Sequence, residues 1–414
     1  MNDELKILNA FSSELQRYLN SEQLRELKEH VLSKIPTDLP KTDLKLDKTK
    51  VTEVEPYYSN LIRIQTDRII TYAENNLNIE SFLNLLESLG KISISQGEFE
   101  LASDIFNLIL SKTKNNSKLQ NLYAYALLSL SIISRNQALW EDSFKYTRTA
   151  RKLFESQRDL RGLSKTELVQ ATNKTEQGKL ESAKYCYEKA IHNLDTQMDK
   201  YIYAMIEANL GILNNMQGNF DEAYTYYRRA LHKFEDFGDT HRISLSRHNL
   251  GMLFTHKKEF DSALNEFDIS LRYSLKGRYL PNICMTYLAK AYVYAERNEL
   301  EMAMAFSEKS LELSYQINDR ISIADNYKVK GIIYRKQKKF ELAKNYLLTS
   351  LRINTDLENK LNLAETSFEL GVLYLEMNIK KEAKEMFENS MKHYNSINNN
   401  KEIDKILSYL EKCN

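Results

Sequence analysis

Apolar residues recur along this chain at helical spacing, and the helical pattern itself recurs every 40 residues. Ahead of the recurrence, Leu8, Phe11, Leu15, Tyr18 and Leu19 share one helix face. Asn20 or Ser21 caps a second helix carrying Leu24, Leu27, Val31 and Ile35, which predicts a helical hairpin over 1–35. Residues 36–56 hold three of the four prolines (Pro36, Pro40, Pro56) and a polar run from Lys41 to Lys50, so a linker is expected there. A capping helix follows over 57–79, with Leu61, Ile62, Ile69, Ile70 and Tyr72. Eight two-helix units fill 80–398, and a C-terminal capping helix with Ile403, Ile406, Leu407 and Leu410 occupies 399–414.

The units align on one small position in each first helix: Gly90, Ser131, Ala171, Gly211, Gly251, Ala291, Gly331 and Gly371. Twelve residues later stand Ala102, Ser143, Ala183, Ala223, Ala263, Ala303, Ala343 and Ala383, and a third, mostly small column runs from Ile109 and Ala150 to Ser350 and Ser390. Small side chains in register let helix axes cross closely, where a large one would force them apart. Sixteen residues after the anchor the column is mostly bulky (Phe106, Tyr187, Tyr227, Phe267, Leu347, Phe387), with Thr147 and Ser307 departing from it. Gly97, Gly178, Gly218, Asn298 and Asn378 mark the turn inside a unit, with Ala138, Lys258 and Lys338 in the same column. Asp159, Asp199, Asp239, Asp319, Asn359 and Asn399 are placed to cap each following helix, and Pro281 stands just past Tyr279, the gap in that column. The fold predicted is an all-α solenoid, a right-handed superhelix of about eight helix pairs.

Composition agrees with helices: 28% of residues are charged, while glycine (11) and proline (4) are scarce. The net charge of +1 gives no field favouring nucleic acid or an anionic membrane. The mixed charges of Glu22 to Lys34 also argue against a DNA-reading helix. Cys186, Cys284 and Cys413 form no motif and read as reduced thiols, and the start shows no secretion signal, so a cytoplasmic location is expected. No apolar run is long enough to span a membrane.

A small residue and a tyrosine in the first helix, then alanine, an aromatic and a second small residue in the second, resemble the tetratricopeptide repeat. The signature is strong in the units anchored at Gly211, Gly251, Gly331 and Gly371 and degenerate at Ser131 and Ala171. The 40-residue unit is longer than the usual one and is similar to the arrays of the adaptor LGN, kinesin light chain and the Rap-type bacterial receptors for signalling peptides. The hairpin and linker ahead of the array share the Rap-type layout. The resemblance implies a concave groove lined by the first helices, holding a peptide or partner helix. Asn209 and Asn249 share one column there, two before the anchor, where an amide can both donate to and accept from a peptide backbone. Asn215, His248, His256, Met205, Lys328 and Arg335 complete the expected groove set, and Lys165, Asp325 and Glu365 are further candidates.

His241, His248 and His256 are spaced seven and eight apart with no cysteine near, which does not make a metal site. There is no phosphate loop, no nucleophile elbow and no paired cysteine, so neither cofactor nor enzymatic activity is expected. The reading is a protein-interaction scaffold with a protein or peptide ligand. The alternative is a Rap-like, peptide-responsive regulator whose N-terminal helices contact a second partner, and residues 1–35 also offer a surface for self-association.

Overall fold

The computed structural model describes residue 11 and residues 14–32, 55–195 and 198–413. These form consecutive helix pairs of an all-α solenoid, with no strand among the described residues. The chain divides into two compact units, Met1–Ser129 and Leu130–Asn414.

In the first unit, Asn20 caps the helix Ser21–Leu32 through a reciprocal pair. Gln23 N donates to Asn20 Oδ1 (2.9 Å) and Asn20 N donates to Gln23 Oε1 (3.0 Å). Phe11, Leu15, Leu19 and Leu27 are buried, and so are Ile69 and Ala73 on the following helix, Glu55–Asn76. Tyr72 of that helix donates its hydroxyl to Glu26 (2.8 Å), and burial with this acidic neighbour raises the Tyr72 pKa to about 12. The expected linker falls outside the described residues except for Glu55 and Pro56, which open this helix; proline suits a first turn because its missing N–H has no intrahelical partner there. The first repeat pairs Ile79–Gln96 with Phe99–Thr113, and Gly90 packs on Phe106.

The second unit is itself built in two layers. The first helices of the fourth to eighth repeats are Lys200–Met216, Thr240–His256, Leu280–Glu296, Arg320–Lys336 and Lys360–Glu376. From Ile202 to Met216 no residue is exposed, and the same holds over 241–255, 281–295 and 361–375. Their partners, such as Phe220–Asp236, bury a narrow stripe (Ala223, Tyr227, Ala230, Phe234) and expose Asp221, Glu222, Thr225, Arg228 and Arg229. The first helices are therefore the inner layer and the second helices the outer one.

The two layers are pinned by the anchor column. A Cβ on Gly211 would stand 2.6 Å from the Tyr227 ring, and one on Gly371 would stand 2.6 Å from Phe387. Glycine at the anchor thus goes with a bulky residue sixteen later. Where that residue is small, the anchor is Ser131 (with Thr147) or Ala291 (with Ser307), while Ala171 keeps a bulky Tyr187. In the second repeat the Ser131 hydroxyl is within hydrogen-bonding distance of Ser143 Oγ (2.8 Å) and Thr147 Oγ1 (2.7 Å), so a polar cluster replaces an aromatic plug. Tyr294 stacks on Phe306 and Tyr334 on Tyr346, filling the space between inner and outer helices as the sequence suggests.

The turn column adopts positive φ throughout, including the residues that depart from Gly and Asn: Ala138 at 57°, Lys258 at 61° and Lys338 at 60°. Asp159, Asp239, Asp319, Asn359 and Asn399 cap the next helix through their side chains. Asp199 makes no such cap and instead pairs with Arg161 (3.0 Å). Pro281 sits in the first turn of its helix.

Within this unit the array winds back onto itself. The Trp140 indole N–H donates to the Leu357 carbonyl (3.0 Å), 217 residues away and more than five repeats along. Asn398 Nδ2 donates to Glu181 Oε1 (3.4 Å), and Asn399 Nδ2 donates to the Met216 carbonyl (2.9 Å). Lys401, at the start of the terminal helix Asn400–Leu410, lies over the Phe220 ring at 4.3 Å. One hydrophobic cluster accordingly joins Ala171, Tyr187 and Ile206 to Phe387, Ile397 and Ile406. The intra-repeat turns of one superhelical turn meet the inter-repeat turns of the next.

Two stability predictions follow from this packing. Ala223→Leu, at a fully buried helix crossing, should cost about 1–3 kcal/mol by overpacking, with hydrogen-exchange protection falling first in the adjacent repeats. Unchanged protection would mean that the small column is not a packing contact. Ala138→Gly should raise stability by about 0.5–1 kcal/mol. The left-handed conformation costs a residue with a Cβ roughly 1–2 kcal/mol, and the greater freedom of glycine in the unfolded chain offsets part of that gain. Thermal unfolding that shifts downward instead would contradict the turn geometry.

Candidate functional site

The candidate side chains recur at six positions of each first helix: six, three and two before each anchor, and one, four and five after it. In the fourth repeat these are Met205, Ala208, Asn209, Ile212, Asn215 and Met216. In the fifth they are Leu245, His248, Asn249, Met252, Thr255 and His256. Asn209 and Asn249 are both half-buried. The amide of Asn209 donates back to the Met205 carbonyl (2.8 Å), which leaves its side-chain oxygen as an acceptor. The Asn249 side chain makes no hydrogen bond among the described residues.

Asn215 and His256 are brought together across adjacent repeats, Oδ1 to Nδ1 at 3.1 Å. His248, expected in the groove, is instead buried, with Nδ1 3.1 Å from the Thr286 hydroxyl and its ring against Phe267. Burial lowers its pKa to about 4, so it stays neutral, and it joins the fifth repeat to the sixth rather than facing the groove. A 3.6-residue helix swings a side chain three before the anchor close to the inter-repeat contact, which is the reason for the difference.

Lys328 and Arg335 line the inner layer but are already engaged. Lys328 is buried between Asp325 (2.9 Å) and Glu365 of the next repeat. Burial disfavours its ammonium, yet the two carboxylates more than offset that and hold its pKa above the ordinary lysine value. Burial raises Asp325. Glu365 ends below the usual carboxylate range, because Lys328 outweighs its burial. Arg335 bridges Glu369 (2.9 Å) and Glu376 (2.6 Å), and Glu296 pairs with Lys336 (3.3 Å).

His256 is exposed to water, yet surrounding protein holds its pKa below the usual value, with opposing effects from Glu365 and Glu402 and from Lys401 and Lys405. Tyr292, raised by burial, feels Glu296, Glu369, Glu365 and Glu402. Charges of the eighth repeat and of the terminal helix thus lie near enough to act on His256 of the fifth repeat and Tyr292 of the sixth. Sequence periodicity finds the columns but not this convergence, because the residues involved stand at unrelated spacings. No group of three or more metal-ligating side chains occurs among the described residues, and no described helix is long and apolar enough to cross a membrane.

Lys328→Met should destabilise by about 3 kcal/mol, the low end for a broken buried pair, because Glu365 keeps 35% of its side chain in water. The deficit should shrink as pH falls. Glu365, with its pKa depressed in the folded protein, stabilises the wild type above the ordinary carboxylate range and loses that contribution as it protonates. In the variant, protonated carboxylates need no counter-charge. Urea unfolding at pH 7 and pH 4 reads the gap, and a pH-independent gap would dismiss the carboxylates as the partners.

Family models for the tetratricopeptide repeat match residues 202–272 and, in a second form, 286–316 and 324–357. No curated protein sequence matches the chain. Among solved structures, a Rap protein complexed with competence and sporulation factor is similar at 12% identity and a TM-score of 0.57, over 80% of this chain and 96% of that one. The Cut9–Hcn1 hetero-tetramer of APC/C is similar at 14% and 0.55, over 96% of this chain and 71% of that one. The apo form of RapI is similar at 13% and 0.51, over 66% of this chain and 98% of that one. The chain thus carries tetratricopeptide repeats over 202–272, 286–316 and 324–357, and its fold is similar to that of the Rap proteins.

Proposed function

We propose that the protein is an interaction scaffold that holds a polypeptide ligand in its inner channel, gripped through the ligand backbone at Asn209 and Asn249. The observation that carries this is the pair of half-buried amides on adjacent inner helices. They retain hydrogen-bonding capacity in a layer where the neighbouring charges are already engaged with one another. The column does not require asparagine for folding, since other repeats place Val169, Ala289, Val329 or Glu369 there. An amide can match both the N–H and the C=O of a passing strand, which holds a chain without reading its side chains.

A second reading is supported by the docking of Ser21–Leu32 on Glu55–Asn76 through Tyr72 and Glu26, and by the likeness to Rap proteins. In it, the ligand regulates how the N-terminal helices meet a second protein. Deleting residues 1–35 would then abolish capture of that second protein and leave ligand binding intact.

The test of the first reading uses ligands eluted from wild-type protein after incubation with extract of its own cell and identified by mass spectrometry. Asn209→Ala/Asn249→Ala, with circular dichroism unchanged, should bind them roughly 5- to 150-fold more weakly, the equivalent of about 1–3 kcal/mol for two lost hydrogen-bonding sites. Undiminished affinity in the folded double variant would place the binding surface elsewhere.

A further inference from the structure

The sixth and seventh repeats carry the same aromatic arrangement, 40 residues apart, between their inner and outer helices. Phe306 lies 5.7 Å from Tyr287 and 5.4 Å from Tyr294, and Tyr346 lies 5.7 Å from Tyr327 and 5.1 Å from Tyr334. In the seventh repeat the row is longer, because Tyr315, 52% exposed, shares a hydrogen bond with the Tyr327 hydroxyl (2.9 Å). Tyr327 and Tyr334 stand on the inner helix Arg320–Lys336. Tyr315 stands on the outer helix Leu300–Gln316, and Tyr346 on the next outer helix, Phe340–Asp356. The four rings therefore cross the cleft between two outer helices, with the inner helix as its floor. Tyr327, Tyr334 and Tyr346 are half-buried, so the row still reaches water.

The lysines of the two arrangements differ. Lys290, between Tyr287 and Tyr294, pairs with Asp268 (2.5 Å) and lies over the Phe306 ring at 4.7 Å. Lys330, in the same column between Tyr327 and Tyr334, is only 8% exposed, yet it makes no hydrogen bond or ion pair among the described residues. Glu308 takes the place of Asp268 one repeat on, but it is exposed and leaves Lys330 unpaired. Desolvating an ammonium without a partner is costly, and an acceptor brought from outside removes that cost.

The cleft also states what the acceptor should be. An ammonium donates and cannot accept. In the Tyr315–Tyr327 pair one hydroxyl donates to the other, and the second keeps its hydrogen for an outside acceptor. The floor is thus rich in donors and ring faces. Glu308, Glu312 and Tyr315 share one face of their helix by spacings of four and three, so the wall beside the tyrosines carries two exposed carboxylates. A polyproline II segment fits this combination: its carbonyls are unpaired, its prolines bring no N–H, and its rings lie on aromatic faces. Tyr327 and Tyr334 are seven residues apart, roughly 10 Å along the helix axis, and polyproline II advances about 9 Å per turn. Successive turns of such a ligand would meet successive rings.

We infer that this cleft is a second binding surface, on the outer layer, for a proline-rich segment of a partner protein with a basic residue beside the prolines. It is separate from the groove amides and does not depend on the groove reading. The test offers a random dodecapeptide display library to the full-length protein, to Tyr334→Leu/Tyr346→Leu and to Asn209→Ala/Asn249→Ala, each checked by circular dichroism. Peptides lost with the tyrosine rings but kept by the asparagine variant are ligands of the cleft, and they should be enriched in proline with a neighbouring Lys or Arg. Lys330→Met, which keeps the buried stem, should weaken them about tenfold. Glu308→Gln/Glu312→Gln should weaken the peptides that carry the basic residue and spare versions with Gln in its place. Should the leucine variant fail to fold, the Lys330 and glutamate variants make the same selection. Absence of any peptide that depends on these residues would overturn the inference. So would dependent peptides that are acidic or poor in proline, or undiminished affinity in Lys330→Met.

Discussion

Everything in this fold depends on how closely an inner helix can approach its outer partner. That distance is set where the anchor position meets the side chain sixteen residues later. Glycine under Tyr227, Phe267, Leu347 or Phe387 leaves no room for a Cβ, so the bulky side chain itself is the spacer. The same crossing recurs every 40 residues, and small errors in its angle would accumulate along the array. Because the crossing is held by close packing, the winding is tight enough for residues 217 apart to meet. Closure of one superhelical turn on the next is a consequence of that one contact.

The inner layer then imposes its own electrostatic constraint. Its charges are costly to leave unpaired where they are buried or half-buried, and the chain pairs them across adjacent repeats: Lys328 with Glu365, Arg335 with Glu369, Lys336 with Glu296. Pairs of this kind bring little net stability but fix one repeat's register on the next. In the fourth and fifth repeats the inner helices carry Asn209, Asn215, Asn249 and His256 among half-buried apolar side chains. His256 shows the character of the space. It is open to water, yet it is held below its usual pKa by the protein around it.

Much of the fold was legible in the sequence because the repeat itself is the signal. The small columns, the turn column and the capping aspartates are local constraints repeated in register, and a single chain displays them as an internal alignment. Thr147 and Ser307 stood out in the sequence as departures from the bulky column, and the structure shows what one of them does: Thr147 meets Ser131 in a hydrogen-bonded cluster. Three things were not legible. Trp140 and Leu357 meet only through accumulated winding, which no local spacing encodes. His248 shares a helix with the groove amides, but a modest rotation places it against Thr286, and a sequence pattern does not resolve that angle. Lys328 and Arg335 read as groove-facing candidates, but their partners Glu365, Glu369 and Glu376 lie in the next repeat at separations of 34 to 41 residues, and only Asp325 stands at helical spacing from Lys328.

The central claim is that the array closes on itself around its inner channel. The measurement that tests it most directly is the distance between spin labels at Lys179→Cys and Asn398→Cys, both exposed, with the three buried native cysteines replaced by alanine. The neighbouring Glu181–Asn398 hydrogen bond sets the expected proximity. Electron–electron double resonance should give one narrow distribution at the short end of its range. A broad distribution at long distance would mean an open solenoid whose turns do not touch, and the closed channel would have to be abandoned.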